Sequence, residues 1–496
     1  MNLLRNIVSG YVQDDWKVKP WLTLNLGLRY DYEQPFGNTD NLFMSLDFNT
    51  GLPRYARGAP QSLLSLVRFK YETGGPNRPY AANAKNFSPR VGFALRPFNN
   101  NNTVVRGGYG LFYTTEDAFS TMYGSWVAPF QGLVTGYPRY AGSWPDNQPH
   151  LQTLDQAPYG LDYLRGSSPG YFLPNTPYYP AGYVQQWNLT VGHNLGGKWG
   201  VEIGDVGSHG VNLMGQTTIQ TYSNDLYLKA VANGFSNFGL RQKGFNSHYD
   251  GFQATVKHEA SHGFAMLTSY TWSHAFAEAS NFDALENVVT DVTAAGTIAR
   301  KLWSQADFDV RHRLTVSGSY ELPFGRSKEF GRSWNALTDM LLGGWRSNFI
   351  YTFQSGFPFT VYTSGLRLPD RVCNGNLPGD QRSANHWYDY TCFKDHPPTT
   401  YVDPVTGASK TINLQGNSHP NIITGPHTNE TDFGMEKYIT LHEGHTLQIR
   451  AEAFNLFNHP NLLTPNGNYF FNSASGAKIT SARDGRDIQL AVRYSF

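Results

Sequence analysis

The sequence predicts an all-β protein folded as an antiparallel transmembrane β-barrel, with long extracellular loops and short periplasmic turns. Three observations carry this prediction. Residues 486–496 alternate apolar and polar side chains up to the terminal Phe496, and residues 22–33 alternate in the same way. The second segment is long enough to cross a bilayer when tilted. Short turns and long polar loops also follow each other in strict order, and this asymmetry is typical of membrane-spanning barrels.

The terminal segment is a strand with one apolar face. Its apolar side chains recur at every second position, at Ile488, Leu490, Val492, Tyr494 and Phe496. In a soluble sheet such a strand leaves an unpaired backbone edge, whereas in a barrel the last strand pairs with the first and lipid covers the apolar face. A solvent-facing edge strand of a soluble sheet is the alternative for this segment taken alone.

The alternating segments predict thirteen strands, at residues 7–16, 22–33, 89–96, 103–114, 183–194, 199–207, 249–258, 264–274, 308–322, 344–355, 432–441, 446–455 and 486–496. One short helix is expected within residues 334–342. Bacterial single-chain barrels have even strand numbers. We therefore expect that strands are missing upstream. A miscount of one is the alternative, with residues 211–222 as either an extra strand or a loop hairpin.

The composition supports a barrel and excludes other classes. Charged residues make up 16% of the chain, below the roughly 25% of soluble domains. Aromatic residues make up 15%, as expected for aromatic girdles. The net charge of +1 gives no electrostatic case for nucleic acid. No apolar run approaches the roughly 18 residues of a membrane helix, and residues 1–13 lack the features of a signal peptide.

The sequence offers no catalytic constellation, so we expect no enzyme activity and no cofactor. The segment His442-Glu443-Gly444-His445 has one residue between Glu and the second His, whereas the helical zinc-protease motif needs two. A solvated turn explains this segment better than a metal site. No P-loop is present.

Charged and polar side chains on the polar strand faces are candidates for the wall of the barrel lumen. They are Arg29, Asp31, Glu33, Gln448, Arg450, Glu452 and Arg493. These residues either hold a substrate or a plug, or they are polar only because a water-filled lumen surrounds them. A second set is expected in the aromatic girdle: Tyr109, Tyr113, Trp272, Tyr320 and Trp345.

Several segments together resemble the TonB-dependent outer-membrane receptors. The segment YVQDDWKVKPWLTLNLGLRYD at 11–31 resembles the mid-barrel hairpin of that family, and NFSPRVGFALRP at 86–97 with VVRGGYGLFY at 104–113 resembles the next hairpin. The terminal strand and four further segments resemble the Oar-like branch: YELPFGR at 320–326, GGW at 343–345, QSGFPFTV at 354–361 and RAEAFNLFNHPN at 450–461. The ending with Tyr494 and Phe496 resembles the C-terminal signature that the barrel assembly machinery reads. The resemblance spans residues 11–496.

The resemblance implies a single barrel domain over residues 1–496, representing the C-terminal part of a roughly 22-stranded barrel in the bacterial outer membrane. The N-terminal plug, the TonB box and the first strands would be absent, so TonB would be contacted only through the missing part. The expected function is import of a scarce solute (siderophore, glycan, peptide or vitamin). A passive porin-like channel and a surface adhesion or assembly barrel are the alternatives.

The resemblance also bears on the two cysteines. Cys373 and Cys392 lie close together in one extracellular loop, and the parent protein would pass an oxidising periplasm. We therefore expect a disulfide that pins this loop, with a local effect of roughly 2–3 kcal/mol.

Overall fold

The computed structural model describes residues 3–47, 49–65, 67, 70–78, 80–98, 101–115, 171–174, 181–218, 239–278, 303–326, 328–363, 367–402, 407, 409–412, 415–442, 444–465 and 473–496. Within these residues, no helix is long and apolar enough to span a membrane.

Thirteen long strands form the framework of the described residues. In chain order they are β1 (Ile7–Lys19), β2 (Leu22–Glu33), β3 (Asn83–Leu95), β4 (Thr103–Tyr113), β5 (Tyr183–Gly196), β6 (Trp199–Thr218), β7 (Gly239–Ser261), β8 (Phe264–Ala277), β9 (His312–Glu321), β10 (Trp345–Gln354), β11 (Thr428–His442), β12 (His445–Phe454) and β13 (Asp487–Ser495).

Each long strand pairs antiparallel with the next one along the chain, which makes one continuous sheet. The first and last strands form its two edges. Among the long strands of the described part, β1 pairs only with β2, and β13 pairs only with β12. The predicted all-β class and the antiparallel pairing are confirmed.

The connections alternate between short and long, as the sequence predicts. The short ones lie at residues 20–21, 96–102, 197–198, 262–263 and 443–444, and the long ones at 34–82, 114–182, 219–238, 278–311, 355–427 and 455–486. The connection 322–344 lies at the short-connection end of the sheet, but its 23 residues exceed the 20 of 219–238. The turn between β7 and β8 shows why the short connections are tight. Its two residues, His262 and Gly263, have φ of +49° and +78°. Two positive φ angles in a row match the twist of the flanking strands.

Several strand boundaries differ from the predictions. Strand β3 begins at Asn83 rather than residue 89, and β7 begins at Gly239 rather than 249. Residues 211–218 are not a separate strand, because they continue β6 and pair with the early part of β7. Residues 219–222 of the same prediction lie outside the described part. The sequence of these extensions contains more polar residues and glycines than apolar residues, so the apolar alternation that marks a membrane-facing strand fades there.

Strand β9 begins at His312, later than the predicted residue 308. A turn explains the difference, since the backbone N–H of Asp309 donates to the carbonyl of Ala306 at 2.9 Å. The Asp309 carboxylate accepts a hydrogen bond from the backbone N–H of Ala275 at 2.6 Å, which ties this turn to the end of β8.

The remaining elements are short and lie mostly in the connections. Helix α1 spans Gln61–Leu64 and helix α2 spans Ala336–Leu342, within the range predicted for a helix. Single-turn 3₁₀ helices span Gly379–Gln381 and Tyr390–Cys392. The short strands are Leu3–Leu4, Gly37–Asn38, Met44–Asp47, Leu52–Ala56, Glu72–Gly75, Tyr171–Pro174, Ser304–Gln305, Pro358–Phe359, Asp370–Arg371, Phe393–Lys394, Thr399–Val402, Ser409–Ile412 and Ile423–Thr424.

Most of the fully buried side chains lie in the long connections rather than in the long strands. One cluster joins the connection 355–427 to the connection 455–486, and its members are Val361, Trp387, Tyr388, Cys392, Phe393, Ile423, Ala477 and Ile479. A second group in the connection 34–82 buries Phe43, Met44, Leu46, Tyr55 and Leu64. The strands, by contrast, expose many large apolar side chains. This distribution fits a sheet whose apolar surface is covered by lipid.

Candidate functional site

The sheet has two chemically different faces, and cross-strand register extends each face through all the long strands. Residues directly opposite each other point to the same side, so the faces can be followed from strand to strand. Asp31 lies opposite Asn86, and Arg450 lies opposite Glu436. We call the side that carries these residues the polar face and the other side the apolar face.

The structure places all seven candidate lumen residues on the polar face. They are Arg29, Asp31 and Glu33 on β2, Gln448, Arg450 and Glu452 on β12, and Arg493 on β13. The two groups belong to one face, but they lie at different places along the sheet and do not form a single cluster.

The β2 group forms a charged contact close to the long-connection end of the sheet. The guanidinium of Arg29 lies 2.8 Å from a carboxylate oxygen of Asp31, and the Ser9 hydroxyl donates to the same carboxylate at 2.6 Å. Glu33 pairs with Arg5. Because Arg29 and Asp31 are two residues apart on one strand, they neutralise each other along the wall.

The β12 group forms a second set of polar contacts, around the middle of β12. Arg450 Nε lies 3.1 Å from Glu452 Oε2. The side-chain amide of Gln448 donates to Glu436 Oε2 at 3.0 Å, and Arg493 lies opposite Gln448 in the register of β12 and β13. These residues lie on three neighbouring strands of the polar face.

Sequence reasoning missed a further charged network that crosses β9, β10 and β11. Arg346 lies 2.7 Å from Glu321 and 3.7 Å from Glu436, and Lys328 lies 2.8 Å from Glu321. Glu321, Arg346 and Glu436 continue the period-two polar pattern of their own strands, and that pattern was the available signal. Their proximity depends on strand register, which a single sequence does not reveal.

An open groove of about 470 Å³ lies on the polar face, over β3 to β7. Its floor is rich in glycine, and its side chains include Arg90, Phe112 and Tyr249. The Arg90 guanidinium lies 4.6 Å from the centre of the Phe112 ring. A Cβ atom at Gly110 would come within 2.8 Å of that ring, so glycine keeps the groove open. The groove therefore offers a cation, an aromatic surface and amide groups side by side.

A second groove of about 550 Å³ lies at the short-connection end of the same face. Arg106, Glu202 and Lys257 contribute to its lining. Arg106 and Glu202 approach to 4.0 Å, but both are exposed, and ion pairs of this kind contribute little stability. The polar face is therefore charged along the length of the strands.

The apolar face carries the aromatic and aliphatic side chains. All five residues predicted for the girdle lie on it: Tyr109, Tyr113, Trp272, Tyr320 and Trp345. Charged residues interrupt this face at several described positions, among them Asp14, Asp205, Asp250 and Lys437. Asp250 pairs with His248 at 2.6 Å, near the long-connection end.

Strand β13 has the predicted alternation. Ile488, Leu490, Val492 and Tyr494 share the apolar face, and Leu490 is 80% exposed. The Tyr494 hydroxyl lies 2.5 Å from Nδ1 of His445 on β12. Phe496 follows the strand and is 92% exposed. Recognition of Tyr494 and Phe496 by the assembly machinery stays a prediction.

The structure links Cys373 and Cys392 in a disulfide, with Cα atoms 4.9 Å apart. The bridge lies in the connection 355–427, and Cys392 belongs to the buried cluster there. Next to it, Asp389 accepts hydrogen bonds from the hydroxyl and the backbone N–H of Thr391, and these hold the pKa of Asp389 below its usual value. Asp389 and the two cysteines also form a group with metal-ligand spacing. Because both sulfurs are bonded to each other, they offer no thiolate.

Comparisons with known proteins give one family match. A family model described as an outer membrane beta barrel domain matches residues 1–489. Comparison with curated proteins gives no match.

Among solved structures, similar chains include the outer membrane transporter YddB of Escherichia coli, at 9% identity and a TM-score of 0.46, covering 99% of this chain and 45% of that one. The ferric-catecholate import receptor Fiu of E. coli has 10% identity and a TM-score of 0.43, covering 100% and 45%. The ferripyoverdine receptor of Pseudomonas aeruginosa has 11% identity and a TM-score of 0.43, covering 100% and 39%. The chain thus spans less than half the length of these structures.

The family match agrees with the single antiparallel sheet, its apolar and polar faces, and its alternation of short and long connections. The chain belongs to the outer membrane beta barrel domain family, and it is a protein of the bacterial outer membrane.

Proposed function

We propose that this chain is the barrel portion of an Oar-like TonB-dependent outer-membrane receptor that imports a scarce solute and catalyses no reaction. One observation carries the proposal: the face turned away from lipid is charged and grooved over the length of the strands. Arg29 and Asp31 lie towards the long connections, and Glu321 and Arg346 lie towards the short ones. The open groove beside Arg90 lies on the same face.

The polar face suits the lumen of a receptor barrel. In an outer-membrane barrel the apolar face contacts lipid and the interior is polar. A solute or a plug inside the lumen would contact positive and negative side chains in alternation, rather than a wall with charges of one sign. The paired carboxylates and guanidiniums keep the wall close to neutral, so selectivity would depend on the grooves and the outer loops.

The long connections support capture of a solute at the cell surface. The connection 355–427 has its own buried core, and the backbone N–H of Trp387 donates to the carbonyl of Ala477 in the connection 455–486 at 2.9 Å. The disulfide closes the same unit. A rigid outer unit of this kind is a suitable platform for recognition. Siderophore, glycan, peptide and vitamin are all compatible with this platform.

The interaction with TonB would be made by a segment outside residues 1–496, together with a plug that fills the lumen. We therefore expect the DNA upstream of the codon for Met1 to encode a plug, a TonB box and a signal peptide in the same reading frame. Sequencing that DNA tests this part of the proposal directly.

Uptake assays test the transport function. A strain that lacks the gene and a strain that lacks TonB are compared with the parent on a panel of labelled ferric siderophores, oligosaccharides, peptides and cobalamin. The proposal predicts that uptake of one of these solutes falls to background in both mutant strains.

The same assays separate the alternatives. Uptake that is lost with the gene but survives the loss of TonB would indicate a passive porin-like channel. Unchanged uptake of every solute, together with loss of attachment to cells or polymers, would indicate an adhesion or assembly protein.

A further inference from the structure

The connection between β9 and β10 contains an amphipathic helix whose apolar side faces outwards. Helix α2 places Leu337, Met340 and Leu341 at i, i+3 and i+4, which puts them on one side. All three are exposed, Leu337 at 62% and Leu341 at 57%. Thr338 and Asp339 are less exposed than these residues. A helix that packs against its own protein shows the opposite arrangement, with the apolar side buried.

Two residues of the apolar face hold this helix in place. The indole N–H of Trp345 donates to the carbonyl of Leu341 at 3.0 Å. The ammonium of Lys437 donates to the carbonyl of Gly343 and lies 3.4 Å from that of Asp339. A cation at a helix C-terminus is stabilised by the helix dipole.

The position of Lys437 explains why the helix must lie on that side of the sheet. Lys437 belongs to the apolar face, opposite Ile449 on β12, yet it is only 4% exposed. Its ammonium lies 5.6 Å from the centre of the Trp345 ring. Without the helix carbonyls, this charge would meet lipid. The Lys437 ammonium and the carbonyls at the end of α2 therefore provide hydrogen-bond partners for each other, at the level where the strands leave the bilayer.

We propose that α2 lies in the periplasmic leaflet of the outer membrane as an interfacial anchor, with phospholipid as its occupant. Two facts favour lipid over a protein partner. The exposed apolar side adjoins the face that contacts lipid in this family. Arg326 and Arg332 are exposed in the same connection, and Arg326 is bound to the segment before the helix through Trp334, at 2.7 Å. Guanidinium groups at this level suit the phosphates of the headgroups.

Spin labelling of the full-length parent protein, reconstituted into phospholipid nanodiscs, tests the proposal. Leu337→Cys and Leu341→Cys variants are labelled without reduction, so that the native disulfide stays closed. Collision rates with oxygen and with a water-soluble nickel chelate then give the depth of each label. The expected depth is about 5–10 Å below the headgroup boundary. Ser333→Cys, which is exposed and precedes the helix, is the matched control and should report the aqueous phase.

Two results would overturn the proposal. Labels at 337 and 341 that meet the nickel chelate as freely as the label at 333 would place the helix in water. Labels that are protected from both oxygen and nickel would show that protein, rather than lipid, covers the helix. Heat-modifiable mobility in gels confirms for each variant that the barrel is folded, and the two positions are read independently.

Discussion

A matched pair of substitutions on β13 tests whether the two faces of the sheet meet lipid and lumen. Leu490 lies on the apolar face and its neighbour Gln489 on the polar face, opposite Glu452. The nine residues of β13, at about 3.4 Å each and about 40° tilt, rise roughly 23 Å along the membrane normal. The apolar band of a barrel is about 25 Å tall. Leu490, near the middle of the strand, therefore lies close to the bilayer midplane.

Arginine introduced at these adjacent positions should have very different effects. Leu490→Arg should lower the free energy of unfolding by about 2–4 kcal/mol, the cost of arginine at a lipid-facing midplane site. Gln489→Arg should change it by less than about 1 kcal/mol, because the new guanidinium faces the lumen and lies opposite a carboxylate.

The assay is denaturant unfolding of the full-length parent protein in phospholipid vesicles, followed by tryptophan fluorescence and by heat-modifiable mobility. The two variants share the strand, the substituent and almost the same depth, so the difference between them isolates the face. Equal costs for Leu490→Arg and Gln489→Arg would refute the assignment of the faces. A larger cost for Gln489→Arg would reverse it.

Three further predictions concern single features. Phe496→Asp should abolish assembly in the outer membrane, while Ser495→Asp should be tolerated. If the Phe496→Asp variant assembled in wild-type amounts, Phe496 would not be part of a signal that the assembly machinery reads. Alkylation of the non-reduced protein from its native membrane should label neither Cys373 nor Cys392. Reduction should make the connection 355–427 more sensitive to protease, since the disulfide stabilises this connection locally by roughly 2–3 kcal/mol. Lys437→Met should accelerate tryptic cleavage in the connection 322–344 roughly tenfold, because a charged hydrogen bond contributes about 1.5–3 kcal/mol; an unchanged cleavage rate would show that the lysine does not hold the helix.

The sequence is most informative where one face of a strand contacts lipid. Strand β2 is predicted to the residue, because leucine and tyrosine alternate with polar residues from Leu22 to Glu33. Strands β6 and β7 are predicted too short, because their outer parts rise beyond the apolar alternation and pair through polar and glycine residues such as Gly215 and Gln242. Pairing there depends on backbone hydrogen bonds, which leave little trace in side-chain pattern.

The candidate site was predictable only as a set of positions on a face. Alternation assigns Arg29 and Arg450 to the polar side, but it does not say which charges meet. The contact between Arg346 and Glu436 needs the register of β10 against β11, and one long connection separates these strands in the sequence. The groove beside Arg90 could not be predicted from the sequence either, since it depends on glycines brought together from neighbouring strands.

The strand count leads to a last prediction. The thirteen long strands of the described residues pair antiparallel in order, so the first and the last run in the same direction. Closing β1 directly onto β13 would need a parallel pair, which has a different hydrogen-bond pattern. Edge groups that stay unpaired in lipid cost several kcal/mol each. Residues 1–496 expressed alone behind a signal peptide should therefore give aggregated or degraded material and no discrete conductance.

A chain of residues 20–496 is the matched control for this experiment, because it lacks β1 and its twelve remaining strands present antiparallel edges. It should give a larger heat-modifiable fraction than residues 1–496 in the same outer-membrane host, since β2 and β13 run in opposite directions. A stable, heat-modifiable monomer of residues 1–496 with a discrete conductance would show that the barrel closes with β1 in place. The argument from the odd number of strands would then be wrong, and a porin-like channel would become the better explanation of the polar face.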